Sequence, residues 1–176
     1  MLDDIKNSDA KENLLEKAYK LAEKNEKTCT GCAQSTVAAI LDSLEIKSDD
    51  TFRAASGLAD GIGLTGDGSC GALVGGAMCI GLVLGRERKN FQDPMAAMNS
   101  YLLSKKLHDD FIQRYGASRC HDIQKKLLGR TFNLYDEKEM KEAYKSGMID
   151  HCSKVVGNSA RETVRIILNA KEKNLF

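Results

Sequence analysis

The sequence predicts an all-α fold, a single-domain bundle of about six to eight helices around a central glycine-rich core helix. Apolar residues recur at intervals of three and four along most of the chain, which is the helical period. Strand signals are nearly absent, residues 131–135 being the one candidate. The 176 residues suit one domain that buries its own core, and neither repeats nor low-complexity linkers divide residues 1–176.

The N-terminal half begins with two amphipathic helices. Their apolar stripes are Leu14, Leu15, Ala18, Leu21 and Ala22 in the first, and Ala33, Val37, Ile40, Leu41 and Leu44 in the second. Residues 49–59 follow as a short helix, which we expect to pack through Phe52 and Ala55.

A glycine-rich loop at residues 57–68 leads into the core helix. Ser69 is a suitable N-cap, and the helix is predicted to run toward Leu84. The apolar run 68–85 is long enough to suggest a membrane span, but six of its residues are glycine, each costing about 1 kcal/mol of helix propensity relative to alanine. No aromatic belt or basic flank precedes it. We therefore predict a buried helix of a protein without a membrane partner.

The C-terminal half contains four more helical segments. Asp93 followed by Pro94, the only proline, predicts the start of a long helix to about Tyr115, because proline at the first helical position loses no hydrogen bond. Its predicted buried stripe is Met95, Met98, Leu102, Leu107 and Phe111. Shorter helices are predicted at 120–128 and 137–145, and a final one at 152–170.

Charge and termini exclude several classes of function. With 26 basic and 25 acidic residues the net charge is +1, so bulk electrostatics predict no nucleic-acid partner. Residues 86–176 hold 18 bases and 12 acids, an excess suited to an anionic cofactor or an acidic partner and equally to an ordinary solvated surface. The first residues show neither a signal nor a transit peptide, which predicts a cytoplasmic protein.

Four of the six cysteines share a position in this scheme. Cys32, Cys70, Cys120 and Cys152 each lie at or near a predicted helix N-terminus. Free N–H groups and the positive end of the helix dipole lower the pKa of a thiol there, and they donate hydrogen bonds to the sulfurs of an anionic metal cluster. In a reducing compartment such thiols are more often metal ligands or redox groups than disulfides.

The other two cysteines do not fit this pattern. Cys79 lies nine residues after Cys70, on the opposite face of the same helix and about 13 Å further along it, so we expect a buried apolar side chain. Cys29 forms a C-x-x-C with Cys32, but no βαβ pattern surrounds the pair, and the second C-x-x-C of a zinc ribbon is missing. Whether Cys29, His121 or His151 is a ligand stays open.

Four stretches in order resemble a known family. They are Cys32-Ala33-Gln34, the run from Ala55-Ser56-Gly57 through the glycine-rich loop into Cys70-Gly71-Ala72-Leu73-Val74-Gly75-Gly76, the run Tyr115-Gly116-Ala117-Ser118-Arg119-Cys120, and Cys152-Ser153-Lys154-Val155-Val156. The chain from about Ala18 to Leu168 thereby resembles the redox-active family named for its C-G-A-x-x-G motif and four cysteines, the C_GCAxxG_C_C family.

The resemblance implies a small redox protein whose four cysteines are Cys32, Cys70, Cys120 and Cys152. The chain is also similar to the non-haem domain of split-Soret cytochromes, which pair an iron–sulfur cluster with haem, and this implies cluster binding without the haem part. Cys29 and Cys79 are additions to the family pattern.

Three functional hypotheses follow, with buried inert cysteines as the simplest alternative. The first is an iron–sulfur protein, most simply [2Fe–2S], that transfers electrons to a redox partner protein or senses redox state. The second is a thiol–disulfide oxidoreductase using Cys29 and Cys32, with Cys70 as resolving thiol. The third is a structural zinc site. A homodimer is left open, because Gly71 and Gly75 allow close helix contact.

Overall fold

The computed structural model describes residues 8–173 and Leu175, and over these residues the fold is all-α, as predicted. The α-helices are α1 (Ser8–Cys29), α2 (Cys32–Leu44), α3 (Asp49–Ala54), α4 (Gly71–Leu84), α5 (Met98–Tyr115), α6 (Cys120–Leu128), α7 (Glu137–Lys145) and α8 (Met148–Glu172). No helix among the described residues combines the length and the apolar character needed to cross a membrane.

Helix α4 is central, packed against α2, α5 and α8, while α1 packs along α8 and α2. Its glycines allow this close packing: a Cβ on Gly75 would lie 2.7 Å from the Ala33 carbonyl oxygen of α2, and one on Gly76 would overlap the Thr163 hydroxyl of α8. Gly71 faces Cys32 on α2 in the same way. The two glycines that we considered for dimerisation are therefore used inside the chain.

The glycine-rich loop is tied to the start of α6 by an isolated antiparallel bridge between Ser69 and Arg119. Cys70 N–H donates to the Ser118 carbonyl over 2.7 Å, and Cys120 N–H donates to the Gly68 carbonyl over 2.9 Å. Because Ser69 belongs to this bridge, Cys70 and not Ser69 is the N-cap of α4. Residues 131–135, the candidate strand, lie in a loop and turn.

The segment after Pro94 differs from its predicted packing. Pro94–Ala97 is a 3₁₀ turn capped by the Asp93 side chain, and α5 proper begins at Met98. Met95 is 66% exposed and Leu102 58% exposed, whereas Leu107 and Phe111 are buried as predicted. Ala97 and Ser100 are buried in place of the larger residues. Small side chains therefore occupy the buried positions at the start of this segment, and the predicted stripe holds only from Leu107 onward.

The predicted packing of Phe52 and the predicted start of the last helix were wrong, whereas Ala55 is buried as predicted. Phe52 is 39% exposed, and Ala55, in a 3₁₀ turn after α3, is the buried residue of that segment. Helix α8 begins at Met148, one turn earlier than predicted, because the αL conformation of Gly147 ends the preceding turn directly.

Candidate functional site: a buried cavity with four thiols

A cavity of about 220 Å³ lies between the main core and a small second cluster formed by Phe132, Ala143 and Met148. Its wall includes all four cysteines singled out by the sequence, Cys32, Cys70, Cys120 and Cys152. Neither Cys29 nor Cys79 lines it. The fold thus brings together four side chains that are separated by up to 120 positions in the chain.

Three of these cysteines lie at helix N-termini. Cys32 is the first residue of α2, following a turn in which Thr30 and Gly31 both have positive φ. Cys70 caps α4 and Cys120 begins α6, and the bridge between their flanking residues holds the two next to each other. Cys152 is different, because it lies one turn inside α8 and its N–H is not at the helix end.

Gly71, directly after Cys70, makes room for the sulfur of Cys32. A Cβ at position 71 would overlap that sulfur and would lie 3.0 Å from the backbone nitrogen of Ala33. The glycine of the Cys70-Gly71-Ala72 stretch therefore has a steric function, since it lets thiols from α2 and α4 approach the same cavity.

Asp60, in the glycine-rich loop, links two of the cysteines. Its N–H donates to the Cys32 sulfur over 3.4 Å, and its Oδ1 accepts hydrogen bonds from the Cys120 thiol over 2.8 Å and from Gln124 Nε2 over 2.6 Å. Asp60 has φ +45°, an unusual conformation for a residue other than glycine. The loop thus places both a donor and an acceptor at the thiols.

Three polar residues at the cavity carry side-chain oxygens that accept no hydrogen bond from the described part of the chain. They are Glu26 Oε2, Asp60 Oδ2 and Gln124 Oε1, each shielded from solvent. Sequence reasoning missed all three residues, although two had a signal. Glu26 continues the buried stripe of Leu15, Ala18 and Ala22, and Gln124 lies four residues after Cys120 on the same helix face.

Burial controls the protonation of the thiols. It raises the pKa of Cys32, Cys120 and Cys152 well above the ordinary range, and it raises the pKa of Cys70 to about 11. Hydrogen bonds from the backbone of Ala72 and Leu73 lower the Cys70 pKa but do not offset burial. Our expectation of lowered pKa values was therefore wrong, because desolvation of a thiolate outweighs the helix dipole here.

The pKa of the Glu26 carboxyl is raised as well. Burial, with a smaller contribution from the negative charge of Asp60, raises its pKa to about 7, and the nearby Ser35 hydroxyl opposes this. A carboxyl with that pKa changes its charge near neutral pH.

The remaining candidates lie in different places. Cys29 ends α1 and is exposed, and Cys79 is buried at 1% exposure with its pKa raised to about 12 by burial. His151 lines the cavity, whereas the ring of His121 lies over Gly66, outside it. Among the residues that the structure describes, no three Cys, His, Asp or Glu side chains are grouped closely enough to hold a metal ion as they stand.

The fold and the cavity define a class: a small helical protein in which residues from four helices place four buried or partly buried thiols around one cavity. Residues 30–166 match the family model described as "Putative redox-active protein (C_GCAxxG_C_C)", and the chain belongs to this family. The matched range contains all four cavity cysteines and excludes Cys29. No curated protein and no solved structure matches the chain.

Proposed function

We propose that this protein binds one iron–sulfur cluster, [2Fe–2S], through Cys32, Cys70, Cys120 and Cys152, and exchanges electrons with a redox partner protein. The proposal rests on which cysteines line the cavity: these four do, and Cys29 and Cys79 do not. Four thiols are the ligand number that such clusters take.

The donor types in the cavity suit this group, although the four sulfurs would have to move closer together to hold it, because no three ligand side chains among the described residues are grouped as a metal site. Thiolates are soft ligands, and the four come from the starts of α2, α4 and α6 and from the second turn of α8. The N–H of Asp60 at Cys32, and those of Ala72 and Leu73 at Cys70, stabilise negative charge on sulfur. The cluster would supply a one-electron redox couple, and these donors would set its potential.

Loading the site requires deprotonation. Because burial raises the pKa of every cavity thiol, the metal-free protein holds them protonated at neutral pH, and each thiol loses its proton when it becomes a ligand. We therefore expect cluster assembly to be faster at pH 8.5 than at pH 6.5.

A thiol–disulfide oxidoreductase has less support. The attacking group in that chemistry is a thiolate, and burial raises the pKa of Cys32 far above neutrality. Its C-x-x-C partner Cys29 is exposed and does not line the cavity.

The test is anaerobic purification followed by an absorption spectrum and assays of iron, acid-labile sulfide and zinc. We expect a brown protein with equal amounts of iron and sulfide. Stoichiometric zinc without iron would replace the proposal with a zinc site. A colourless protein that takes up neither iron nor zinc after anaerobic reconstitution would refute both metal sites. Thiol–disulfide exchange would then be the remaining hypothesis.

A further inference from the structure

One continuous segment of the chain covers a side of the thiol cavity. Residues 130–146 comprise the loop after α6, helix α7 and the turn before α8, and we call this segment the flap. Four flap residues line the cavity, namely Leu134, Met140, Ala143 and Tyr144. The flap contains no cysteine, so its movement would leave all four thiols on the remaining part of the fold.

Glycines in the left-handed conformation lie at both ends of the flap. Gly129, with φ +80°, is the C-cap of α6, and Gly147, with φ +81°, is the N-cap of α8. A Cβ at Gly129 would meet no atom within 4 Å, so the backbone conformation and not close packing favours glycine there. Hinges are a few residues at the ends of elements that absorb changes in backbone angle. Glycine allows the widest range of such angles, so both positions suit a hinge.

Ion pairs and hydrogen bonds join the two parts of the flap to each other. Arg130 pairs with Glu139 over 3.0 Å and with Glu142 over 3.1 Å, which ties the loop to α7. The guanidinium of Arg130 also lies 4.6 Å from the centre of the Phe132 ring. Glu139 accepts a further hydrogen bond from the N–H of Asn133. The loop and the helix therefore form one unit.

The flap has fewer contacts with the rest of the protein. Its buried side chains, Phe132 and Ala143, pack with Met148 in the small second cluster and are not part of the main core. Among the side-chain hydrogen bonds of the described residues, one joins the flap to another segment: the Tyr135 hydroxyl donates to the Gly63 carbonyl over 2.8 Å. Opening of the flap would break this bond and the small cluster while the main core stays packed.

We propose that the flap opens about Gly129 and Gly147 and so admits a metal ion, a cluster or another reagent to the four thiols without unfolding of the core. In the closed position it shields Cys70 and Cys120, which are 7% and 6% exposed. This inference goes beyond the proposed function, because it concerns access to the thiols and holds for whichever group they bind.

The test is the rate at which iodoacetamide labels individual cysteines, measured by mass spectrometry on the full-length protein after a chelator has removed bound metal. Cys70 and Cys120 report on the cavity, and Cys79, buried in the main core, reports on unfolding of that core. A buried thiol reacts in proportion to the population that exposes it. We expect Cys70 and Cys120 to react at least about tenfold faster than Cys79, because a local opening costs less than global unfolding.

Two substitutions should loosen the flap. Tyr135→Phe removes the hydrogen bond to Gly63, and Phe132→Leu shortens a ring that is buried in the small cluster. Each should speed the labelling of the cavity thiols about two- to tenfold, the factor that one net hydrogen bond or a small loss of packing is worth. Tyr101→Phe, at an exposed tyrosine of α5, is the matched control and should leave these rates unchanged.

A substitution in the main core separates flap opening from unfolding. Ile40 is fully buried in that core and does not line the cavity. Ile40→Val should therefore speed the labelling of Cys79 and leave the rates of Cys70 and Cys120 unchanged. If it speeds all three equally, the cavity opens only by unfolding and the inference is wrong.

Two other results would overturn the flap. If neither Tyr135→Phe nor Phe132→Leu changes the labelling of the cavity thiols, the flap does not control access. If Tyr135→Phe alone has an effect, the glycine-rich loop moves instead. Iron and sulfide are assayed on the same preparations before the chelator is added. Their absence would refute the proposed cluster and leave the flap standing, and an iron–sulfur protein with unchanged labelling in both variants would do the reverse.

Discussion

The six cysteine side chains differ in exposure, and this difference predicts their reactivity. Cys29 is exposed, Cys70, Cys79 and Cys120 are buried, and Cys32 and Cys152 are intermediate. Because thiolates are the reactive form and burial raises the pKa of the five others, we expect one fast-reacting thiol per folded chain with Ellman's reagent at pH 8. Cys29→Ser should remove the fast phase and Cys79→Ser should not. Three or more thiols reacting at one fast rate would contradict the burial of the cavity.

Glu26 predicts a dependence of stability on pH. Its pKa is about 7 in the folded protein against 4.5 for the unperturbed group, so the native state holds the proton more tightly and loses stability as pH rises from about 4.5 through 7. The difference corresponds to about 3 kcal/mol. The Glu26→Gln variant lacks this titrating group, so its free energy of unfolding should not fall in this way. Measured by urea unfolding, the stability of the variant relative to the wild type should increase by about 3 kcal/mol between pH 4.5 and pH 8.

The matched control for this measurement is Glu12→Gln, at an exposed position of the same helix. Its stability relative to wild type should be nearly the same at both pH values. If Glu26→Gln behaves like this control, Glu26 is not held in a desolvated site.

At this scale the sequence predicted the thiols better than their surroundings. Cysteines before helices are recognisable because helix starts have local signals. The placement of Cys79 on the face opposite Cys70 follows from helix geometry alone. Asp60 could not be found, because it reaches Cys120 only through the path of the glycine-rich loop. The raised thiol pKa values were missed for a related reason: desolvation depends on the whole cavity, whereas the helix dipole is a local property.

Among the elements, α4 supplies a matched pair of glycine substitutions. A Cβ at Gly75 would lie 2.7 Å from the backbone oxygen of Ala33, and one at Gly81 would meet nothing within 4 Å. We expect Gly75→Ala to destabilise the protein by about 1–3 kcal/mol by forcing α2 and α4 apart, and Gly81→Ala to stabilise it by up to about 1 kcal/mol through helix propensity. Thermal unfolding measures both, and equal effects of the two changes would contradict the close α2–α4 packing.

The ends of a helix were predictable where strong start and stop signals flank it. The buried face of a helix was not always predictable. The pairs Asp136 with Gly147, and Cys120 with Gly129, bracket α7 and α6 closely. The buried positions at the start of this segment were misassigned because hydrophobicity favoured Met95 and Leu102, whereas the bundle buries Ala97 of the 3₁₀ turn and Ser100 of α5. Packing distance between helices, which selects small residues, is a tertiary property that a single helix pattern does not contain.

For the whole molecule, the proposed cluster predicts a coupling between metal content and folding. Its ligands come from α2, α4, α6 and α8, so a bound cluster joins four helices that are distant in the chain. Removing it with a chelator under reducing conditions should lower the melting temperature by several degrees or more, and anaerobic reconstitution should restore it. Differential scanning calorimetry on the two forms gives the answer. Identical melting temperatures would mean that the four cysteines do not share a bound group.

The central claim is that four particular cysteines act together and that Cys79 does not belong with them. The most direct measurement is the iron and acid-labile sulfide content of Cys70→Ser and Cys79→Ser, purified anaerobically beside the wild type. Both changes replace a buried thiol on or next to α4, so they control for each other. We predict that Cys70→Ser loses the cluster and its visible absorption while Cys79→Ser retains both. Equal retention in the two variants, or equal loss, would contradict the account.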